Sequence, residues 1–166
     1  VDRVTGSELF TSLRTAVESN HGSEPNLVKN MVTFHQSYEA ETREAFYDWI
    51  AGRMSRWNSG QTRQILNHAQ QEGVPLLKKE KIVEEILNQV PDKISNSNFV
   101  GKTFIPAVPE QFDDQLFKML KKLSSSSDEG EVLIAVDVYE QSPDRFEELE
   151  GTLLESFRKQ FNKTNN

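Results

Sequence analysis

Residues 27–57 read LVKNMVTFHQSYEAETREAFYDWIAGRMSRW, with no proline at all and no glycine before Gly52. Leu27, Met31, Phe34, Tyr38, Ala45 and Trp49 recur close to every 3.6 residues, which lines them along one stripe of a helix. As a single helix the stretch is about 45 Å long at ~1.5 Å per residue, so other helices are needed to cover its stripe. Glu41 and Thr42 stand where that stripe calls for apolar side chains. Either the helix breaks near residues 37–42 or that part of it faces solvent.

Outward from this stretch the chain supplies the covering helices. Thr5 stands three residues before Glu8, the spacing of a capping box, and Leu9, Phe10, Leu13, Ala16 and Val17 follow at helical spacing. A first helix over residues 6–20 follows. On the other side, Asn58, Ser59 and Gly60 end the long stretch, and Ser59 is placed to cap a short helix that stops at Gly73. Pro75 then opens a helix that ends before Pro91, with its apolar positions at Leu76, Leu77, Val83, Ile86, Leu87 and Val90.

From Pro91 to Pro109 the periodicity disappears, and Phe99, Phe104 and Ile105 read as tethers of an irregular segment. Phe112, Leu116, Met119, Leu120 and Leu123 define the next helix, with acids in its first part and Lys118, Lys121 and Lys122 near its end, as the helix dipole favours. The run from Val132 to Tyr139 is rich in β-branched residues, yet a strand there lacks a partner, so a buried helix fits better. Ser142 and Pro143 read as the start of a last helix through Phe146, Leu149, Leu153, Phe157 and Phe161. The fold class is therefore all-α: a single antiparallel, bundle-like domain over residues 1–166, of six or seven helices. The long second helix lies at its centre, and residues 162–166 form a frayed tail.

Composition bounds what such a domain does. Hydrophobic residues are 36% of the chain and charged residues 27%, and ten phenylalanines supply large apolar surfaces, so the chain has the material for one core. The formal charge of −7 argues against nucleic acid or an anionic membrane as the main partner. With no cysteine, disulfides, thiolate metal sites and cysteine nucleophiles are excluded. No apolar run approaches the ~20 residues of a spanning helix, and no signal-like segment stands at the amino end, so the reading is no membrane insertion and a cytoplasmic location. The chain begins at Val1, which suggests processing or a domain cut from a longer protein.

Few residues offer chemistry. His35 with Glu39, and His68 with Glu72, are four apart and adjacent on helix faces, but they do not follow the Glu-x-x-His order of di-metal helical bundles. No metal and no cofactor is expected. Trp49, Arg53, Arg56, Trp57 and Arg63 bring aromatics and arginines together, a mixture that stacks on bases when exposed and packs as core and helix-end charge when it is not. Arg63 and His68, with four residues between them, match the Arg-x4-His pattern of the HEPN ribonucleases, a family this chain also resembles in being small and helical. The resemblance implies an arginine that binds the scissile phosphate and a histidine that moves a proton, meeting across a dimer cleft. Gln64 departs from the asparagine, aspartate or histidine that commonly follows the arginine, and the motif lies mid-chain without an acidic companion.

The leading functional reading is a non-enzymatic helical protein–protein interaction or adaptor domain, with another protein as its partner. Its contact surface is expected at Ser95, Asn96, Ser97, Asn98 and Gly101, left at the surface of the irregular segment, together with Lys118 and Lys122 on the following helix. A ribonuclease using Arg63 and His68 is the alternative. A nucleic-acid-binding module comes third, and it requires Arg53, Arg56 and Arg63 to share one exposed face.

Overall fold

The computed structural model describes residues 4–164, and among them every regular element is helical, in nine α-helical segments with no strand. The contacts fall into two compact units, residues 1–85 and residues 86–166.

In the first unit, α1 (Gly6–Glu18) starts on the expected capping box, Thr5 Oγ1 accepting from the Glu8 amide and Glu8 accepting from the Thr5 amide. Beyond its last residue Asn20 takes the left-handed conformation at φ 56° while the His21 amide donates back to the Ala16 carbonyl.

The long central helix does not exist. α2 (Glu24–Thr33) stops after ten residues, a 3-10 turn covers Phe34–Ser37, and Tyr38 and Glu39 are extended before α3 (Ala40–Arg53) begins. The break needs neither glycine nor proline because it is made by packing. At the hinge the Tyr38 hydroxyl donates to the Met31 carbonyl at 2.7 Å, and its ring meets Phe10, His35 and Phe46 edge-on. Gly6 lets α1 close on the same hinge, since a Cβ there would stand 2.1 Å from the Ser37 carbonyl oxygen.

Two extended residues reset the helical phase, so the residues buried on α3 are Thr42, Phe46, Tyr47 and Ile50. Ala45 is exposed, Trp49 is half-buried and Phe34 is 38% exposed, so the stripe read through this stretch holds only at Met31 and Tyr38. After a second 3-10 turn (Met54–Arg56), α4 (Ser59–Gln71) is capped one residue earlier than expected, by Asn58 in a capping box with Gln61. It stops where the sequence placed its end, Gly73 having φ 71°. Pro75 opens a 3-10 turn (Leu76–Lys78) rather than a helix, and α5 (Glu80–Gln89) contains the boundary between the units.

In the second unit, residues 91–109 are more ordered than their composition suggested. Asn96 Oδ1 accepts from the Phe99 amide at 2.9 Å and opens a π-helical turn over Phe99–Phe104, followed by the three-residue α6 (Ile105–Ala107). Phe99, Phe104 and Ile105 are buried as read, the two phenylalanine rings stacked with centroids 6.4 Å apart. α7 (Asp113–Ser124) carries aspartates in its first turn and lysines in its last. The run of residues 132–139 is helical within α8 (Glu129–Gln141), capped by Asp128.

Ser142 does not start the last helix. Residues 143–148 form turns and α9 runs over Leu149–Thr164, so the backbone is helical at residues 162–164 where fraying was expected. Within α9, Leu149, Leu153 and Ser156 are buried while Phe157 is exposed; the Phe161 side chain lies outside the described residues.

Candidate functional site

The arginine and tryptophan mixture of residues 49–63 is internal bracing. Glu24, in the first turn of α2, accepts from Arg53 Nε at 3.1 Å and from Arg53 Nη2 at 2.8 Å, and also from the indole of the buried Trp57. The paired guanidinium holds the Glu24 carboxyl below the usual carboxylate range in spite of its partial burial. Trp49 donates to Glu18 Oε1 at 3.1 Å, tying α3 to the end of α1. Of the three arginines that a nucleic-acid face requires, only Arg56 is exposed; Arg53 is held by Glu24, and Arg63 is half-buried with no partner at Nε.

Arg63 and His68 are five residues apart on α4, about 140° around its axis, so the helix itself does not bring them to one point. His68 Nε2 is 2.9 Å from Thr33 Oγ1 and 4.0 Å from Glu72 Oε1. His35 is buried and bonded to the Tyr47 hydroxyl, whereas Glu39 is exposed at the start of α3. No group of three or more metal-ligating side chains occurs among the described residues.

The expected contact surface is split. Ser95, Asn96 and Asn98 are exposed and Ser97 half-exposed, as the sequence reading required. Gly101 is not at the surface: it is buried, and a Cβ there would stand 3.3 Å from the Asp137 backbone of α8. A side chain at that point would push the π-helical turn off α8, which is why glycine sits in what looked like a solvent loop. Lys118 and Lys122 are exposed one turn apart on α7. Neither lines the open groove of about 360 Å³ into which Ser95 faces. Pro91 and Ile134 give that groove its apolar part, and Asp92, Asp128, Gly130 and Glu131 its polar part.

The sequence offered no pointer to the α8 side of this groove, because residues 128–134 lie more than thirty positions from Ser95 and meet it only through folding. Arg145 was missed for the same reason. Its guanidinium donates to Asp113 Oδ1 at 2.7 Å and to the carbonyls of Ile105, Val108 and Pro109 at 2.9, 2.8 and 3.2 Å. That single side chain satisfies the backbone carbonyls at the carboxyl end of the irregular segment.

The class defined to this point is an all-helical protein, and no helix among the described residues is long and apolar enough to cross a membrane. Comparison with protein-family models, with curated proteins and with solved structures finds no match to this chain.

Proposed function

We propose that this chain is a non-enzymatic protein-interaction domain whose contact surface is the exposed segment of Ser95, Asn96, Ser97 and Asn98 with the groove beside it. The observation that supports it is the way this segment is held. A polar, exposed segment stands on a buried π-helical turn, pinned from below by Phe99, Phe104 and Gly101 and from one end by Arg145. Order in the free state lowers the entropy lost on binding, which suits recognition of another protein. The groove's three carboxylates favour a partner segment that brings basic side chains, and Pro91 and Ile134 accept its apolar ones. Lys118 and Lys122 belong to this reading as a second, separate contact. An antiparallel, bundle-like packing of the helices within each unit, an adaptor role and a cytoplasmic location are parts of the same proposal.

Ser95→Lys combined with Asn98→Lys tests it, because both side chains are exposed and neither bonds within the fold as Asn96 does. Capture of the partner should fall about tenfold with the helical circular dichroism unchanged. Undiminished capture would place the interface elsewhere. Cleavage of single-stranded RNA in chelator, lost in both Arg63→Ala and His68→Ala, would replace this reading with the ribonuclease one.

A further inference from the structure

We propose that α9 pairs antiparallel with α9 of a second copy of this chain, Leu154 lying at the two-fold axis. In this register Arg158 passes over the partner's Gly151 to reach the partner's Glu150, and Phe157 packs beside the partner's Leu154. The inference concerns different residues from the groove, so either can fail while the other stands.

The first support is an apolar stripe that its own fold leaves uncovered. With Leu149, Leu153 and Ser156 turned inward, Leu154 and Phe157 lie side by side on another face of α9, 50% and 45% exposed. The second is a notch beside that stripe. Gly151 is exposed, and nothing stands within 4 Å of the place its Cβ would occupy. Glycine weakens a helix interior, and close approach of another surface gives it a reason to be there.

The third is charge order. Glu150 and Arg158 are both exposed and lie four residues before and after Leu154, and Glu150 is held beside the Tyr139 hydroxyl of α8. An antiparallel pairing centred on Leu154 puts residues equally far before and after it at the same level along the axis and sets each flank of α9 against the same flank of its partner. Arg158 then crosses the notch at Gly151 and reaches Glu150, twice over, as a two-fold interface requires. A parallel pairing would set Glu150 on Glu150 and Arg158 on Arg158, which is repulsive at both ends.

Sedimentation equilibrium of the 166-residue chain should show a reversible monomer–dimer equilibrium. Phe157→Glu should raise the dimer dissociation constant about tenfold or more. Gly151→Leu is the discriminating variant, since it improves the helix while filling the notch: it should keep or raise the thermal midpoint and still weaken the dimer. The native chain has no cysteine, so Leu154→Cys should give a disulfide-linked dimer on oxidation, whereas Gly151→Cys, whose two copies lie too far apart to bridge, should not. Ser95→Lys with Asn98→Lys should dimerise as the parent does. A monomer at every concentration would overturn the pairing, as would loss of the dimer in the Ser95 and Asn98 variant. A Gly151→Leu dimer of parent strength, or ready disulfide formation at Gly151→Cys, would overturn the antiparallel register.

Discussion

His35 is buried in an aromatic group with Tyr38, Phe46 and Tyr47, with its Nε2 bonded to the Tyr47 hydroxyl. Burial first, then the nearby charges of Arg43 and Lys79, hold its pKa below the ordinary histidine value, so the ring is neutral in the folded protein. Lys79 is close enough to lie over the Tyr47 ring, 4.4 Å from its centroid. The folded state therefore binds its proton later on acidification than the unfolded state, which takes it up near pH ~6.5. This contribution to stability is complete above that value and is lost as pH falls through the window between the unfolded and the lower folded pKa. Urea unfolding at pH 7.5 and 5.5 checks it. The parent should lose more stability than His35→Gln between those two values; an equal or smaller loss in the parent would show that the imidazole is not held neutral. The sequence singled His35 out only as a partner for Glu39 and did not show its burial, because its surroundings come from separate helices and turns.

At the scale of elements, the stretch 27–57 shows what periodicity reads and where it stops. Helical propensity was legible on both sides of residue 37, and Glu41 in the stripe's path was a true sign that one helix could not run through. The hinge itself was not legible, since Tyr38 sets it by bonding Met31 and by packing on Phe10 and Phe46. Once the phase is reset, a stripe carried across the break names the wrong side chains. Phe46→Ala should accordingly cost about 3–5 kcal/mol, as for a fully buried aromatic, and Phe34→Ala much less, because Phe34 is 38% exposed. Chemical denaturation of both variants decides it, and equal losses would contradict the observed burial. Capping signals fared better than stripes. Thr5 with Glu8 and Gly73 mark their helix ends correctly, because caps are local and need no knowledge of the rest of the fold. Ser142 and Pro143 misled because Ser142 ends α8 instead of starting α9. Arg145 and its long-range bonds lie in the turns that follow.

For the molecule as a whole, helix content, the helical state of residues 132–139 and the anchoring phenylalanines of the irregular segment were readable from pattern, although that run is buried only at Val132, Ile134, Ala135 and Val138 and leaves Leu133 exposed. The division of contacts into two units and the groove beside Ser95 were not, because both depend on residues distant in sequence. The functional account rests on a largely exposed segment, residues 95–98, in which Asn96 bonds into the turn below while the side chains of Ser95 and Asn98 are left to solvent. Site-specific photo-crosslinking in cells tests this most directly, with the reactive side chain placed at Asn98 or, as a control of similar exposure on α4, at Gln64. Asn98 should yield a discrete adduct with another protein, and Gln64 none of comparable yield; equal labelling at the two positions, or no adduct at Asn98, would contradict the assignment of this segment as the binding surface.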